Sequence, residues 1–95
     1  MEALTREKVM AYKAAIKELT TRASFDSWRI KDGKFTVIPL ENDSRRMQCI
    51  MLADYFKGLL AADEALNIGM PARANRLAYQ AIKLFKTVQE IQKGE

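Results

Sequence analysis

Residues 44–66 read SRRMQCIMLADYFKGLLAADEAL and, as a helix, are apolar around most of the circumference. On a helical wheel its large apolar side chains cover one broad arc, while Asp54, Lys57 and Glu64 fill the narrower wedge opposite. An apolar arc of this width is typical of a helix that other elements cover on more than one side. We therefore predict a central helix over residues 44–66, with neighbours packed on at least two of its sides.

Two further helices are predicted, one before and one after the central helix. Thr5 fits the N-cap of a first helix over about residues 6–22, where apolar residues recur at spacings of three and four. Gly69 fits the left-handed residue that follows a helix, and Pro71 fits the first position of the next one. The third helix is predicted to run from there to about Gln92, because its apolar residues keep the same spacing.

Residues 27–38 read SWRIKDGKFTVI and predict a β-hairpin. Asp32-Gly33 suits a two-residue type I′ turn, because glycine accepts the positive φ that this turn needs. The flanking residues alternate in polarity, so one side of the ribbon is apolar and is expected to lie on the helices. The residues of that side are Trp28, Ile30, Phe35 and Val37. The predicted fold class is α+β: a mostly helical, single domain over residues 1–95, with three helices and a β-hairpin inserted between helix 1 and helix 2.

Composition restricts the class of protein and its location. The chain has 95 residues, 48% of them hydrophobic, and a net charge of +4, which together exclude bulk disorder. No apolar run approaches the roughly 20 residues that a membrane-spanning helix needs, so no membrane partner is expected. Cys49 is the single cysteine and cannot form an internal disulfide, which predicts a cytoplasmic location.

The residue types that usually carry catalysis are scarce. The chain has no histidine, which removes the commonest general base and the commonest metal ligand. Asp54, Asp63 and Glu64 do not show the spacing of a metal site or of an acid–base pair, and no glycine-rich loop could hold a phosphate. We therefore expect neither enzymatic activity nor a cofactor or metal. Asp63 points toward the apolar side, so we expect it to pair with a cation of a neighbouring helix or to lie beyond the core.

Two basic surfaces are candidates for binding a partner. The hairpin residues are Arg29, Lys31 and Lys34, and those of the third helix are Arg73, Arg76 and Lys83. A cationic surface favours an acidic partner, although each of these surfaces could instead be an ordinary solvated face. The preferred interpretation is a small non-enzymatic regulator or inhibitor that presents these residues to an acidic protein surface.

The alternative interpretation is a dimeric DNA-binding protein that uses the third helix. The segment from Ala65 to Gly69 resembles the Ala-x-x-x-Gly sequence that opens the turn of helix-turn-helix proteins. Arg73 and Arg76 would then lie near the amino end of a recognition helix. Asn75 departs from this pattern, because the motif has an apolar residue there. Independently, the broad apolar arc of the central helix predicts a homodimer formed through that helix.

Overall fold

The computed structural model describes residues 1–25, 28–31, 34–37 and 43–94, with side chains described for residues 1–23 and 44–94. Helices dominate this part of the chain. Their bounds are Arg6–Phe25 for α1, Asp43–Asn67 for α2 and Pro71–Lys93 for α3, and two short strands, Trp28–Lys31 (β1) and Lys34–Val37 (β2), lie between α1 and α2. The three helices therefore confirm the predicted helical segments to within three residues at each end.

The predicted α+β class is wrong, because the packed fold is built from helices alone. Helices make up 88% of residues 1–25 and 43–94, and this part of the chain contains no strand or sheet. β1 and β2 pair antiparallel only with each other, with Trp28 opposite Val37, and neither strand packs extensively on a helix. A two-stranded ribbon is at best marginally stable by itself, whereas α1 and α3 both pack extensively on α2. The β-hairpin is therefore not a component of this all-α core, and its predicted turn at Asp32-Gly33 and its side chains lie outside the described residues.

α2 lies between the other two helices, as predicted for the central helix. Both α1 and α3 pack extensively on α2, and they share no comparable interface with each other. The ring of Tyr12 in α1 lies 5.1 Å from that of Phe56, and the ring of Phe85 in α3 lies 5.0 Å from that of Tyr55. The helices thus form a single layer in the order α1, α2, α3, and this layer has two broad faces.

The contact between α2 and α3 is made by very small side chains. Ala62 and Ala74 have no exposed surface, and they pack with the buried Ala65 and Ala78. A Cβ atom built on Gly58 would lie only 2.9 Å from the Cβ of Ala81, so the two helix backbones approach closely there. Close approach of antiparallel helices compensates for the small volume of these residues by bringing many atoms into contact.

The turn between α2 and α3 has the hydrogen bonds of a Schellman motif. Gly69 has a φ of 79°, its N–H donates to the carbonyl of Leu66, and the N–H of Met70 donates to that of Ala65. Pro71 then occupies the start of α3, where a missing N–H costs nothing. Both predicted roles are confirmed, and the short turn makes α2 and α3 antiparallel neighbours.

The start of α1 is capped as predicted. The N–H of Lys8 donates to the hydroxyl of Thr5 over 3.2 Å, and the N–H of Val9 donates to the Thr5 carbonyl over 3.0 Å. Farther along the helix, Arg22 and Glu18 form an exposed ion pair of 2.8 Å. Such an exposed pair adds only about 0.3–0.5 kcal/mol, so α1 depends mainly on its packing against α2.

Candidate protein-binding surface

The predicted basic residues of the third helix all lie at the surface. Arg73, Arg76 and Lys83 are exposed in α3. The side chains of Arg29, Lys31 and Lys34 lie outside the described residues, so the hairpin half of the predicted surface stays a prediction. The structure thus describes one candidate surface, on α3.

The packing of α3 determines where its cations point. Its buried residues are Ala74, Ala78, Ala81 and Val88, and these face α2. At 100° per residue, Arg76 and Lys83 project from the side opposite these residues, and Arg73 projects from one flank. We call Arg73, Arg76, Tyr79 and Lys83 the cationic edge of α3. It is the border of the helical layer that lies farthest from α2.

Tyr79 is a member of this edge that the sequence prediction missed. Its side chain is 61% exposed, and the Nζ atom of Lys83 lies 4.8 Å from the centre of its ring. The contact is a cation–π interaction, which restrains two long exposed side chains relative to each other. The sequence could have predicted that Tyr79 belongs to this edge, because Tyr79 lies three residues after Arg76 and four before Lys83 on one helix.

Among the described residues, no carboxylate forms an ion pair with the cations of this edge. Within the described part of the chain, the single ion pair shorter than 4.0 Å is the one between Glu18 and Arg22 in α1. Arg73, Arg76 and Lys83 therefore keep their positive charge available for an external group. Guanidinium groups and exposed tyrosine rings are also the residue types that contribute most to protein interfaces.

The arrangement of α2 and α3 differs from that of a helix-turn-helix. Gln92 near the end of α3 donates to Gln48 near the start of α2, and Gly58 meets Ala81 halfway along. The two helices are therefore antiparallel over their whole length, whereas the helices of the DNA-binding motif cross at roughly 90–120°. Asn75, where the motif has an apolar residue, is exposed and accepts a hydrogen bond from the amino group of Met1.

Asp63 has a structural partner instead of the predicted cation. The residue is buried, and one of its carboxylate oxygens accepts a hydrogen bond of 2.8 Å from the N–H of Leu4. The other oxygen lies 3.4 Å from the side-chain amide of Asn67. The segment before α1 is thus held across the end of α2, and the expectation of an ion pair for Asp63 is wrong.

Tyr55 is the one described group with a shifted pKa. Burial raises the pKa of its phenol above the ordinary value of 10.0, and repulsion from an ionised Tyr12 acts in the same direction. A raised pKa means that folding favours the neutral phenol. Its stabilising contribution is therefore complete below pH 10 and is lost as the pH rises through the raised pKa of the folded state.

We expect Tyr55→Phe to reduce the loss of stability at alkaline pH. The free energy of unfolding, measured in urea at a series of pH values from neutral to above 10, should fall more steeply for the wild type than for this variant. Tyr79→Phe is the matched control, because the phenol of Tyr79 is exposed. Identical alkaline slopes for the wild type and Tyr55→Phe would contradict the raised pKa.

The described residues also form a groove of modest size. A groove between α1 and α2, lined in part by Thr20, Arg46 and Asp54, holds about 200 Å³, which is below the roughly 300 Å³ at which ligand pockets begin. The residues described include no group of three His, Cys, Asp or Glu side chains that could hold a metal ion. Among the described helices, none combines the length and the apolar character that crossing a membrane requires.

No family model, curated protein or solved structure matches the chain. Its function therefore has to be argued from the surface chemistry of its own residues.

Proposed function

We propose that this chain is a non-enzymatic binding module, a small regulator or inhibitor that presents the cationic edge of α3 to an acidic surface of a protein partner. The observation that supports it is the exposure of Arg73, Arg76 and Lys83 without a carboxylate partner among the described residues. If the predicted hairpin cations Arg29, Lys31 and Lys34 take part, they add to the same charge. The single, half-buried Cys49 supports a reducing, cytoplasmic location as part of this proposal.

Two features favour a protein over DNA as the partner. Tyr79 is exposed beside the cations, and tyrosine with arginine is the combination enriched at the centres of protein interfaces. The antiparallel packing of α2 along α3 also differs from the geometry that places a recognition helix in the major groove. The experiment therefore includes a separate measurement of DNA binding.

The experiment compares two double charge reversals of the full chain. Arg76→Glu with Lys83→Glu changes the cationic edge, whereas Lys8→Glu with Lys17→Glu makes the same charge change on exposed residues of α1. Immobilised protein is exposed to nuclease-treated lysate of the source organism, and the affinity of each retained protein is then measured. We expect the edge variant to lose about tenfold or more in affinity for an acidic protein that the α1 variant still binds.

A DNA titration completes the test. The wild type is expected to show little affinity for duplex DNA at physiological salt. Tight duplex binding, with a salt dependence of about −0.9 in log–log slope per phosphate contacted, would contradict the proposal. Equal loss of the protein partner in both charge-reversal variants would also contradict it, because the effect would then follow net charge and not the position of the cations.

A further inference from the structure

An aromatic row crosses all three helices on one face of the layer. The ring centres of Tyr12 and Phe56 are 5.1 Å apart, those of Phe56 and Tyr55 are 5.0 Å apart, and those of Tyr55 and Phe85 are 5.0 Å apart. Because Tyr12 belongs to α1 and Phe85 to α3, the row fixes which side of each helix contributes to this face. Aromatic rings in tilted contact of this kind form a rigid apolar surface.

The same face continues along α2 in both directions. Leu52 and Leu59 lie at helical spacings of three and four from Tyr55 and Phe56, so they project from the same side of the helix. All four residues are only half-buried, although α1 and α3 both pack on α2. We define the aromatic face by Tyr12, Leu52, Tyr55, Phe56, Leu59 and Phe85.

One end of this face is already covered by the chain itself. Asp63 lies four residues beyond Leu59, and the backbone of Leu4 is bound to it. The segment before α1 therefore covers the end of α2, while the stretch from Leu52 to Leu59 has no such cover among the described residues. The uncovered part of the aromatic face is thus bounded and contiguous.

The amount of exposed surface is large for a chain of this mass. The accessible surface is 7285 Å² for 10.8 kDa, about 1,700 Å² more than the roughly 5,500 Å² of a compact monomer. The radius of gyration is 16.2 Å, whereas about 12 Å is expected for 95 residues. Half of this surface excess would equal the roughly 800 Å² that each partner buries in a stable interface.

We infer that the aromatic face is the interface of a two-fold symmetric homodimer. The six residues that define it carry no charge at neutral pH, so contacts between these residues of two copies bring no like charges together even though each chain carries +4. An apolar interface of this kind is typical of permanent assemblies, and a second copy is the partner that is always present in equal amount.

The other face of the layer explains why the assembly would stop at two copies. Asp54, Lys57 and Glu64 are exposed on the opposite side of α2. Burying these charges would be costly, which disfavours growth of the assembly through this second face. The cationic edge of α3 stays outside this interface, and the dimer therefore does not depend on the proposed function.

The test is sedimentation velocity on the full chain at tens of micromolar. We expect the wild type to have twice the mass of 10.8 kDa. Phe85→Glu should raise the dissociation constant by roughly a hundredfold, because it would place a carboxylate in an apolar interface. Ile50→Glu is the matched control: Ile50 is 46% exposed and Phe85 37%, but Ile50 lines the groove on the other face. The control should remain a dimer.

A second measurement on the wild type keeps the inference testable if Phe85→Glu does not fold. In a mixture of labelled and unlabelled chains, isotope-filtered NMR should show contacts between copies at the rings of Tyr12, Phe56 and Phe85. A wild-type monomer would overturn the inference and assign the face to a different protein or to no partner. Dissociation of Ile50→Glu to the same extent as Phe85→Glu, or contacts between copies at other residues only, would also overturn it.

Discussion

Gly58→Leu is expected to lower the free energy of unfolding by about 3 kcal/mol, because it drives a large side chain into the closest contact between α2 and α3. Even a Cβ atom at this position would lie 2.9 Å from that of Ala81. The change is expected to lower the melting temperature by about 4–8 °C for each kcal/mol lost. Urea unfolding followed by circular dichroism gives the comparison.

Two controls separate steric crowding from helix propensity. Lys57→Leu places the same side chain at the neighbouring, exposed position and should change stability by less than about 0.5 kcal/mol. The exchange Gly58→Ala with Ala81→Gly moves one methyl group from α3 to α2. It should stay close to wild type, because the gain and the loss of about 1 kcal/mol in helix propensity cancel. If Gly58→Leu and Lys57→Leu have the same free energy of unfolding, the two helices do not approach closely at Gly58.

Asp63→Ala is expected to destabilise the chain by about 1–3 kcal/mol and to release the segment before α1. The buried carboxylate accepts the N–H of Leu4, and alanine leaves this donor without its acceptor. Asp63→Asn keeps one acceptor oxygen and should cost less. Amide hydrogen exchange at Leu4, measured together with the free energy of unfolding, reports on the hydrogen bond directly.

The control for this prediction is a carboxylate on the same helix that forms no hydrogen bond or ion pair within the described part of the chain. Asp54 is exposed on the opposite side of α2, so Asp54→Ala should leave both stability and the exchange rate of Leu4 unchanged. Unaltered protection of the Leu4 amide in Asp63→Ala would show that the segment before α1 is held by something else.

The helices could be predicted from the sequence because their signals are local. Thr5, Gly69 and Pro71 act through their own backbone geometry, and apolar spacing shows where each helix runs. The α+β class was wrong because alternation within residues 28–37 concerns local pairing only. Whether a ribbon becomes part of the core depends on how much distant surface it can bury, which no local pattern contains.

The packing of α2 could be predicted only in part. The width of its apolar arc correctly indicated neighbours on two sides, but it did not show which side would stay uncovered. Alanines and Gly58 make the closest contacts, and such small residues give a weak signal beside Leu52 or Phe56. The partner of Asp63 was unpredictable for another reason, since a backbone N–H leaves no trace in the residue types.

The candidate surface on α3 could likewise be predicted only in part. Arg73, Arg76 and Lys83 are exposed, and Arg76 and Lys83 project from the side of α3 opposite its buried residues. The spacing of Tyr79 from Arg76 and Lys83 in the sequence indicated a shared helix face, whereas its contact with Lys83 is seen only in the structure. The identity of an acidic partner depends on chemistry outside this chain, so the binding function stands as a proposal.

The position of α2 between α1 and α3 can be tested directly by NMR. An NMR structure from a mixture of labelled and unlabelled chains distinguishes contacts within one copy from contacts between copies. With α2 in the middle of the layer, we expect intramolecular contacts between Gly58 and Ala81, between Tyr12 and Phe56, and between Tyr55 and Phe85. A dense set of intramolecular contacts joining apolar side chains of α1 directly to α3, as in a closed three-helix bundle, would contradict this arrangement.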